Sequence, residues 1–314
     1  MEIIRLDQIK KILKNIDIIS EIEQGFLAYS SGKVITPPVG ELLFKQPPGD
    51  VHIKYGYIIG DPYYVIKIAS GFYDNPKLHL PSSNGLLLIF SQKTGEILGI
   101  LLDEGYLTDL RTAAAGAITA KYLAPATVNN IGIVGTGTQA RLQLFYLKQV
   151  TTCRKVIVWG RDDRKLTHFR NSLEKEGFSI KITQHIEELT SACNLIVTTT
   201  PAISPLLSAS RIRQGTHITA VGADSPHKQE LDPAILKIAN IIVADSIEQC
   251  VERGEIAHAV RNKFINKEKL IELGNIISGT QAGRTSDEQI TVADLTGLAV
   301  QDIQIAKAVY NQSF

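Results

Sequence analysis

Apolar residues near the start of the chain recur at helical spacing. Ile9, Ile12, Leu13, Ile16, Ile19, Ile22 and Phe26 form one stripe, which predicts helix over residues 8–30 with a break at Asp17. The segment "TPPVGELLFKQPPGD" is bracketed by prolines and reads as a loop or sheet edge. Four apolar runs follow: "VHIKYGYIIG", "YYVIKIAS", "GLLLIFSQ" and "EILGILLD". Gly, Pro, Asn and Asp clusters separate them, which predicts an antiparallel sheet. Thr108 then reads as the N-cap of an alanine-rich helix. Near residue 126 the rhythm changes. Short apolar runs, "NIGIVG", "KVIVWG", "NLIVTT", "THITAVG" and "NIIVAD", alternate with helical stretches, the βαβ pattern of a parallel sheet covered on both faces. The tail "ADLTGLAVQDIQIAKAVYNQ" reads as one long helix able to pack back on the first part of the chain. The expected fold class is α/β with two domains, residues 1–126 with 288–314, and residues 127–287.

Composition narrows the class of partner. The 314 residues carry a net charge of +1 and are 44% hydrophobic. Nothing in that balance points to nucleic acid or to a disordered chain. The first fifteen residues mix charges among their apolar positions, so no signal-peptide core is present, and no run approaches the roughly 18 apolar residues of a membrane span. Cys153, Cys193 and Cys250 are far apart and form no CxxC pair. They read as buried free thiols of a cytoplasmic protein. The seven histidines show no metal-ligand spacing.

The segment "NIGIVGTGTQAR" contains Gly135-x-Gly137-x-x-Ala140 between an apolar strand and a helix, with a second strand within about 30 residues. In that context the first glycine permits a tight turn, the second lets the backbone approach a pyrophosphate, and Ala140 lets helix pack on strand. This is the dinucleotide fingerprint of a Rossmann domain. After the second strand comes Gly160-Arg161-Asp162-Asp163. Arg161, with Arg164 nearby, suits the 2′-phosphate of NADP(H); Asp162 would suit the ribose hydroxyl of NAD.

Three charges interrupt patterns that want none. Lys67 breaks "YYVIKIAS". It is either an edge-strand lysine reaching solvent or a lysine facing a pocket. Arg111 lies in the first turn of the predicted helix, where a cation is disfavoured. It either bends away to water or a neighbouring carboxylate, or holds a bound carboxylate there. Asp224, in "VGADSPHKQELD", directly follows a parallel strand, where ligands of open α/β sheets bind; the alternative is a turn aspartate. His227 and His258 read as surface residues, Glu255 as a helix-start carboxylate and "GRTS" as a loop.

Five segments, "KIASGFYDNPKLHLPSSNG", "LLDEGYLTDLRTAAAGAITAKYLA", "IGIVGTGTQAR", "VGADSPHKQELD" and "ITVADLTGLAVQD", resemble, in order and spacing, the ornithine cyclodeaminase / mu-crystallin family. The resemblance implies a Rossmann NAD(P)-binding domain set into an α+β substrate and dimerisation domain, built from the N-terminal part and the C-terminal helix. It implies that Lys67 and Arg111 bind a substrate carboxylate and that Asp224 stands beside the reacting Cα and amine. It places Thr296 next to substrate. Ser82, Thr138, Gln139, Thr200, Ala220, Val221, Gly222 and Lys228 match cofactor contacts. Departures concern the substrate side chain. Val39 stands where cyclodeaminases carry an arginine, and no glutamate is evident before the first long strand, where Lys54 or His52 are the nearest substitutes. Leu295 and His227 replace a serine and a glycine of some members. The implied chemistry is hydride transfer at the Cα–N bond of a small amino or cyclic imino acid. Ornithine cyclodeamination to proline, cyclic ketimine reduction and alanine-dehydrogenase-like turnover all remain open, as does a non-catalytic mu-crystallin-like binder. A homodimer is implied as well.

Overall fold

The apolar stripe at the start folds as two helices because Asp17 interrupts it: its carboxylate accepts the Ser20 N–H and caps the second. The computed structural model describes residues 1–72 and 74–313. Tyr73, inside the first of the five quoted segments, and Phe314, the last residue of the expected 288–314 segment, lie outside the described residues.

In chain order the strands are β1 (Glu2–Arg5), β2 (Val34–Ile35), β3 (Gly40–Lys45), β4 (Pro48–Ile58), β5 (Tyr63–Phe72), β6 (Ser83–Ser91), β7 (Ile97–Leu102), β8 (Ile131–Val134), β9 (Lys155–Trp159), β10 (Ser179–Thr183), β11 (Leu195–Thr198), β12 (Ile203–Leu207), β13 (His217–Ala220), β14 (Gln229–Leu231), β15 (Ile241–Ala244), β16 (Leu270–Glu272) and β17 (Thr291–Asp294). The α-helices are α1 (Leu6–Ile12), α2 (Ile18–Ser30), α3 (Tyr106–Leu123), α4 (Thr138–Leu147), α5 (Asp163–Glu174), α6 (Ile186–Ala192), α7 (Ala234–Ile238), α8 (Ile247–Cys250), α9 (Gly254–Arg261), α10 (Leu273–Ile277) and α11 (Ala299–Asn311).

The chain divides into two units, Met1–Arg111 with Leu298–Phe314, and Thr112–Gly297. These joints fall inside α3 and before α11, whereas the sequence rhythm changes at 126/127 and 287/288. The reason is local. Gln143 of α4 donates to the Thr112 carbonyl, so most of α3 packs with the second unit. β17 pairs with β13 and β15 in that unit's sheet. The predicted tail helix is therefore a strand, a turn at Gly297 with φ +79°, and only then α11.

In the first unit β7, β6, β5 and β4 run antiparallel, β2 and β3 both pair with β4, and β1 joins β7 in parallel. The proline-bracketed segment is thus the edge hairpin β3–β4. Register aligns Lys67 with Leu87 and Leu87 with Leu101. Side chains in register share a face, so Lys67 belongs to the same buried face as Leu87 and Leu101. The same strand is central, which excludes the edge-strand reading of the lysine. Helix α11 packs on this face and on α2; Gly99 leaves room for the Tyr310 ring and Gly25 for Val300 and Gln304.

The second unit is an eight-stranded parallel sheet in the order β10-β9-β8-β11-β13-β17-β15-β16, with β12 and β14 pairing separately. β8, β11, β13, β15 and β17 are buried throughout, which is why they read as short unbroken apolar runs. This is the doubly wound Rossmann fold. The chain changes direction across the sheet after β10, so β8 and β11 flank the switch point where such sheets bind ligands.

Candidate active site

In the second unit the glycine turn leaves β8 at the switch point. Gly135 has φ +123°, and a Cβ there would meet Thr199 Oγ1 at 2.7 Å. Its N–H donates to the Trp159 carbonyl at the end of β9. Gly137 is the N-cap of α4, and a Cβ on it would meet nothing within 4 Å. The backbone is therefore open on the side where a pyrophosphate would lie. Ala140 is fully buried against the sheet. A cavity of about 780 Å³ opens here, lined by Gly135, Gly137, Trp159, Arg161, Thr200 and others. Its size and its glycine floor fit a dinucleotide. Asp162 and Lys165 line the cavity as well. The Asp162 carboxylate accepts the N–H groups of Arg164 and Lys165 at 2.8 and 3.1 Å as the N-cap of α5, and these donors hold it below its ordinary range.

The loops after β11 and β13 are tied by a residue that the sequence did not single out. Glu230 is fully buried. Its Oε1 accepts the Thr200 N–H at 2.6 Å and the Thr200 hydroxyl at 2.7 Å; its Oε2 accepts the Gly222 N–H at 3.0 Å. Burial pushes its carboxyl up to about 7, against the pull of these donors. A Cβ on Gly222 would sit 2.2 Å from the Thr200 carbonyl oxygen, so the two loops approach closely only because this residue is glycine. Behind Glu230, Glu255 in the first turn of α9 accepts the N–H groups of Glu230 and Leu231. Asp294 accepts the Ile256 N–H. Burial raises both carboxyls well above their ordinary values. Asp245 receives the Thr296 hydroxyl at 3.0 Å and the Gly297 N–H at 2.7 Å, which fixes the loop after β17.

Asp224 lies on the loop between β13 and β14, half exposed, 2.7 Å from Lys228 Nζ. Ala220 ends β13, and Val221 donates its N–H to Thr198. Thr138 and Gln139 begin α4. His258 Nε2 meets the Lys228 carbonyl, and His227 is exposed.

In the first unit two of the misplaced charges converge. Lys67 Nζ lies 2.8 Å from Asp302 Oδ2, and Arg111 Nε lies 3.0 Å from Asp302 Oδ1. Arg111 Nη1 donates to Gln301 Oε1 at 2.8 Å. All three charged residues are at most 5% exposed. Burial pulls the Lys67 ammonium down to about 8 against the attraction of Asp302, and Arg111 adds to the drop. Burial would raise the Asp302 carboxyl, but Lys67 and Arg111 together outweigh it and hold it below its ordinary value. Arg111 is not in the first helical turn, as Thr108 capping had implied. Asp103 accepts the Leu107 N–H at 2.8 Å, so α3 begins at Tyr106 and Arg111 lies in its second turn. The misplaced cation is balanced by Asp302 rather than by the helix end.

Lys54 is the cross-strand partner of Lys67, and its charge also bears on Asp302. His52 shares that face and stands between Glu41 and Asp50 at 3.5 and 3.6 Å. Ser82 is exposed just before β6 and accepts the Phe72 N–H through its carbonyl. Cys193 and Cys250 are buried free thiols; Cys153 is only half-buried. Among the described residues no cluster of His, Cys, Asp and Glu is arranged to hold a metal ion, and no helix is long and apolar enough to cross a membrane.

A Rossmann sheet with a glycine-floored cavity defines a dinucleotide-binding protein. The family model for ornithine cyclodeaminase/mu-crystallin matches residues 3–314, and the chain belongs to that family. It is 40% identical to an uncharacterised cyclodeaminase of Sinorhizobium fredii over 100% of this chain and 96% of the relative. Among solved structures, an archaeal alanine dehydrogenase dimer with bound NAD superposes with a TM-score of 0.90 at 36% identity, covering 99% of this chain and 95% of that one. The Thermococcus litoralis Δ1-pyrroline-2-carboxylate reductase in complex with NADH and L-proline gives 0.92 at 28%, covering 99% and 97%.

Proposed function

We propose that this chain is an NAD(P)-dependent enzyme that reduces a small imino acid to the amino acid by hydride transfer at Cα. The observation that carries the reading is the convergence of buried Lys67 and Arg111 on one carboxylate, at 2.8 and 3.0 Å. A site that seats a carboxylate between these two cations has the chemistry to bind the α-carboxylate of a substrate. Each cation also has N–H donors beyond those engaged with Asp302 and Gln301. When bound, the nicotinamide would supply the hydride. The glycine turn with Ala140, Thr138, Gln139, Thr200, Ala220, Val221, Gly222, Lys228 and Ser82 would hold the dinucleotide. Lys67 and Arg111 would fix the substrate carboxylate, Thr296 would bound the substrate, and Asp224 would hold or deliver a proton at the reacting nitrogen.

Reduction is favoured over cyclodeamination by Lys54. It stands beside Lys67 on the sheet, where a second substrate amine would meet a cation. Cyclodeamination of ornithine draws support from Glu41 and Asp50, which bring carboxylates to the same face around His52. At the ribose, Arg161 and Lys165 at the cavity wall support NADP(H), since Asp162 is engaged in capping α5. The first unit would bind substrate and form the homodimer, for which exposed Leu42, Leu43 and Phe44 on edge strand β3 offer an apolar surface. A cytoplasmic location accords with the free thiols. The test is direct. Purified protein is given NADPH or NADH with Δ1-pyrroline-2-carboxylate, or with pyruvate and ammonia, and separately NAD⁺ with L-ornithine. Cofactor oxidation with an imino acid supports the reading. Proline and ammonia from ornithine without net cofactor consumption would replace it by cyclodeamination.

A further inference from the structure

We propose that Asp302 is the positioning residue of the substrate site: its carboxylate bridges Lys67 and Arg111, fixes both cations for an incoming carboxylate, and offsets their mutual repulsion. The proposal rests on the reading of these two cations as the carboxylate-binding pair.

The geometry is specific. One oxygen of Asp302 takes Lys67 and the other takes Arg111 Nε. The preceding residue, Gln301, accepts from Arg111 Nη1, so one turn of α11 holds the guanidinium at two points. A guanidinium held at two points has lost most of its rotational freedom before any ligand arrives. That is the preorganisation that lets binding energy go into orientation. The placement also answers a problem of charge. Lys67 and Arg111 are buried and close enough for each to disfavour the other's charge. Lys54 on β4 adds a third cation bearing on Asp302. Asp103, ahead of α3, is a second carboxylate that acts on Lys67, and burial raises its carboxyl. Lys67 and Arg111 thus lean mainly on Asp302, since Asp103 is easily neutralised. Without Asp302 the cheapest relief is loss of the Lys67 proton, because a buried lysine gives up its charge more readily than a guanidinium. The Lys67 ammonium already sits near 8 with Asp302 present. Removing its main attraction moves it further down, and a neutral amine no longer pairs with carboxylate.

The experiment compares wild type, Asp302→Asn and Asp302→Glu. First, protein labelled with carbon-13 at the lysine Cε is titrated by NMR, with the Lys67 signal assigned through Lys67→Arg. The expected result is a midpoint near 8 in wild type. It moves acidward by about one pH unit or more in Asp302→Asn, a tenfold or larger change in proton affinity, and returns in Asp302→Glu. Second, kcat/KM for the imino acid is measured against pH. The alkaline limb follows the NMR midpoint, with the loss at neutral pH mainly in KM. An unmoved Lys67 midpoint in folded Asp302→Asn overturns the proposal, as does a pH-independent fall in kcat with no change in limb. A shifted midpoint with an unchanged KM would leave Asp302 as the group that sets the charge of Lys67, and would instead overturn the reading of Lys67 as a carboxylate ligand. If Asp302→Asn does not fold, Asp302→Glu carries the titration. The longer side chain displaces the carboxylate while keeping its charge, so the midpoint should stay near that of wild type and KM should rise; an identical KM in that variant would overturn the positioning role.

Discussion

Glu230→Gln isolates the residue that joins the loops after β11 and β13. The wild-type carboxyl accepts from three donors on Thr200 and Gly222. Glutamine retains one acceptor oxygen, for Thr200, and turns an NH₂ group toward the Gly222 N–H, donor against donor. A buried donor left unmet costs about 1–3 kcal/mol, so above about pH 7, where the wild-type carboxylate accepts from all three donors, the variant should hold the two loops less firmly and bind NAD(P)H more weakly. The pH dependence is more diagnostic. Burial raises the Glu230 carboxyl from 4.5 to about 7. Between those values the folded protein holds a proton that the unfolded chain has released, so the contribution to stability is full below 4.5 and is lost as pH rises to about 7. The rise corresponds to about 3 kcal/mol. Urea unfolding of both proteins at about pH 5 and about pH 8 reads this directly. Wild type should lose most of that amount more than Glu230→Gln does, because the glutamine does not titrate, while Glu255 and Asp294 are common to both. Parallel stability curves would refute the reasoning and mean that the loop donors hold Glu230 ionised throughout.

Other outcomes follow from single contacts. Gly222→Ala places a methyl 2.2 Å from the Thr200 carbonyl, so the loops must part; NADH affinity by fluorescence titration should fall about tenfold or more, a loss of at least ~1.4 kcal/mol. Asp224→Asn should abolish turnover while NAD(P)H still binds, since the side chain lies outside the glycine turn; persistent turnover would remove its assigned role. Arg161→Ala should raise KM for NADPH by roughly tenfold and leave KM for NADH nearly unchanged, the loss expected of one guanidinium–phosphate pair. Equal changes would sink the 2′-phosphate assignment.

Much of the fold was legible because its signals are local. The strands β4 to β7 and the parallel strands of the second unit are short apolar runs bounded by turn residues, and the glycine turn carries its own context. Lys67 and Arg111 were visible as charges breaking an apolar pattern. Their partner was not, although its signal was present: Gln301, Asp302 and Gln304 interrupt a helix that is otherwise buried on all sides. Asp302 lies 191 positions from Arg111 in the chain, and no spacing rule connects them. The start of α3 was misplaced because Asp103, a better cap than Thr108, stands before Gly105, whose φ of +85° sharpens the turn. Glu230 gave no signal at all. In "KQELD" it reads as one more surface glutamate, and only the pairing of β14 with β12 carries it inside.

Five carboxyl residues, of which only Glu255 is singled out by the sequence, as a helix-start carboxylate, share one property. Asp302, Glu230, Glu255, Asp294 and Asp245 are buried carboxyls, each set against backbone N–H groups or cations at the places where ligands are expected. Burying a carboxylate costs stability unless every lone pair is met, and the raised carboxyls of Glu230, Glu255 and Asp294 show that the cost is not fully offset. Apolar residues would leave the facing N–H groups and cations unmet and would hold the loops without direction, since dispersion contacts do not fix an N–H to within a few tenths of an ångström. A carboxylate with two bonded oxygens does. Hydride transfer and carboxylate capture both depend on placement at that scale. The stability lost to buried charge is therefore the physical counterpart of loops held in one arrangement, and because an apolar side chain at any of these five positions leaves buried N–H groups or cations unmet, such replacements should lower the urea unfolding midpoint more than the matching amide replacements do.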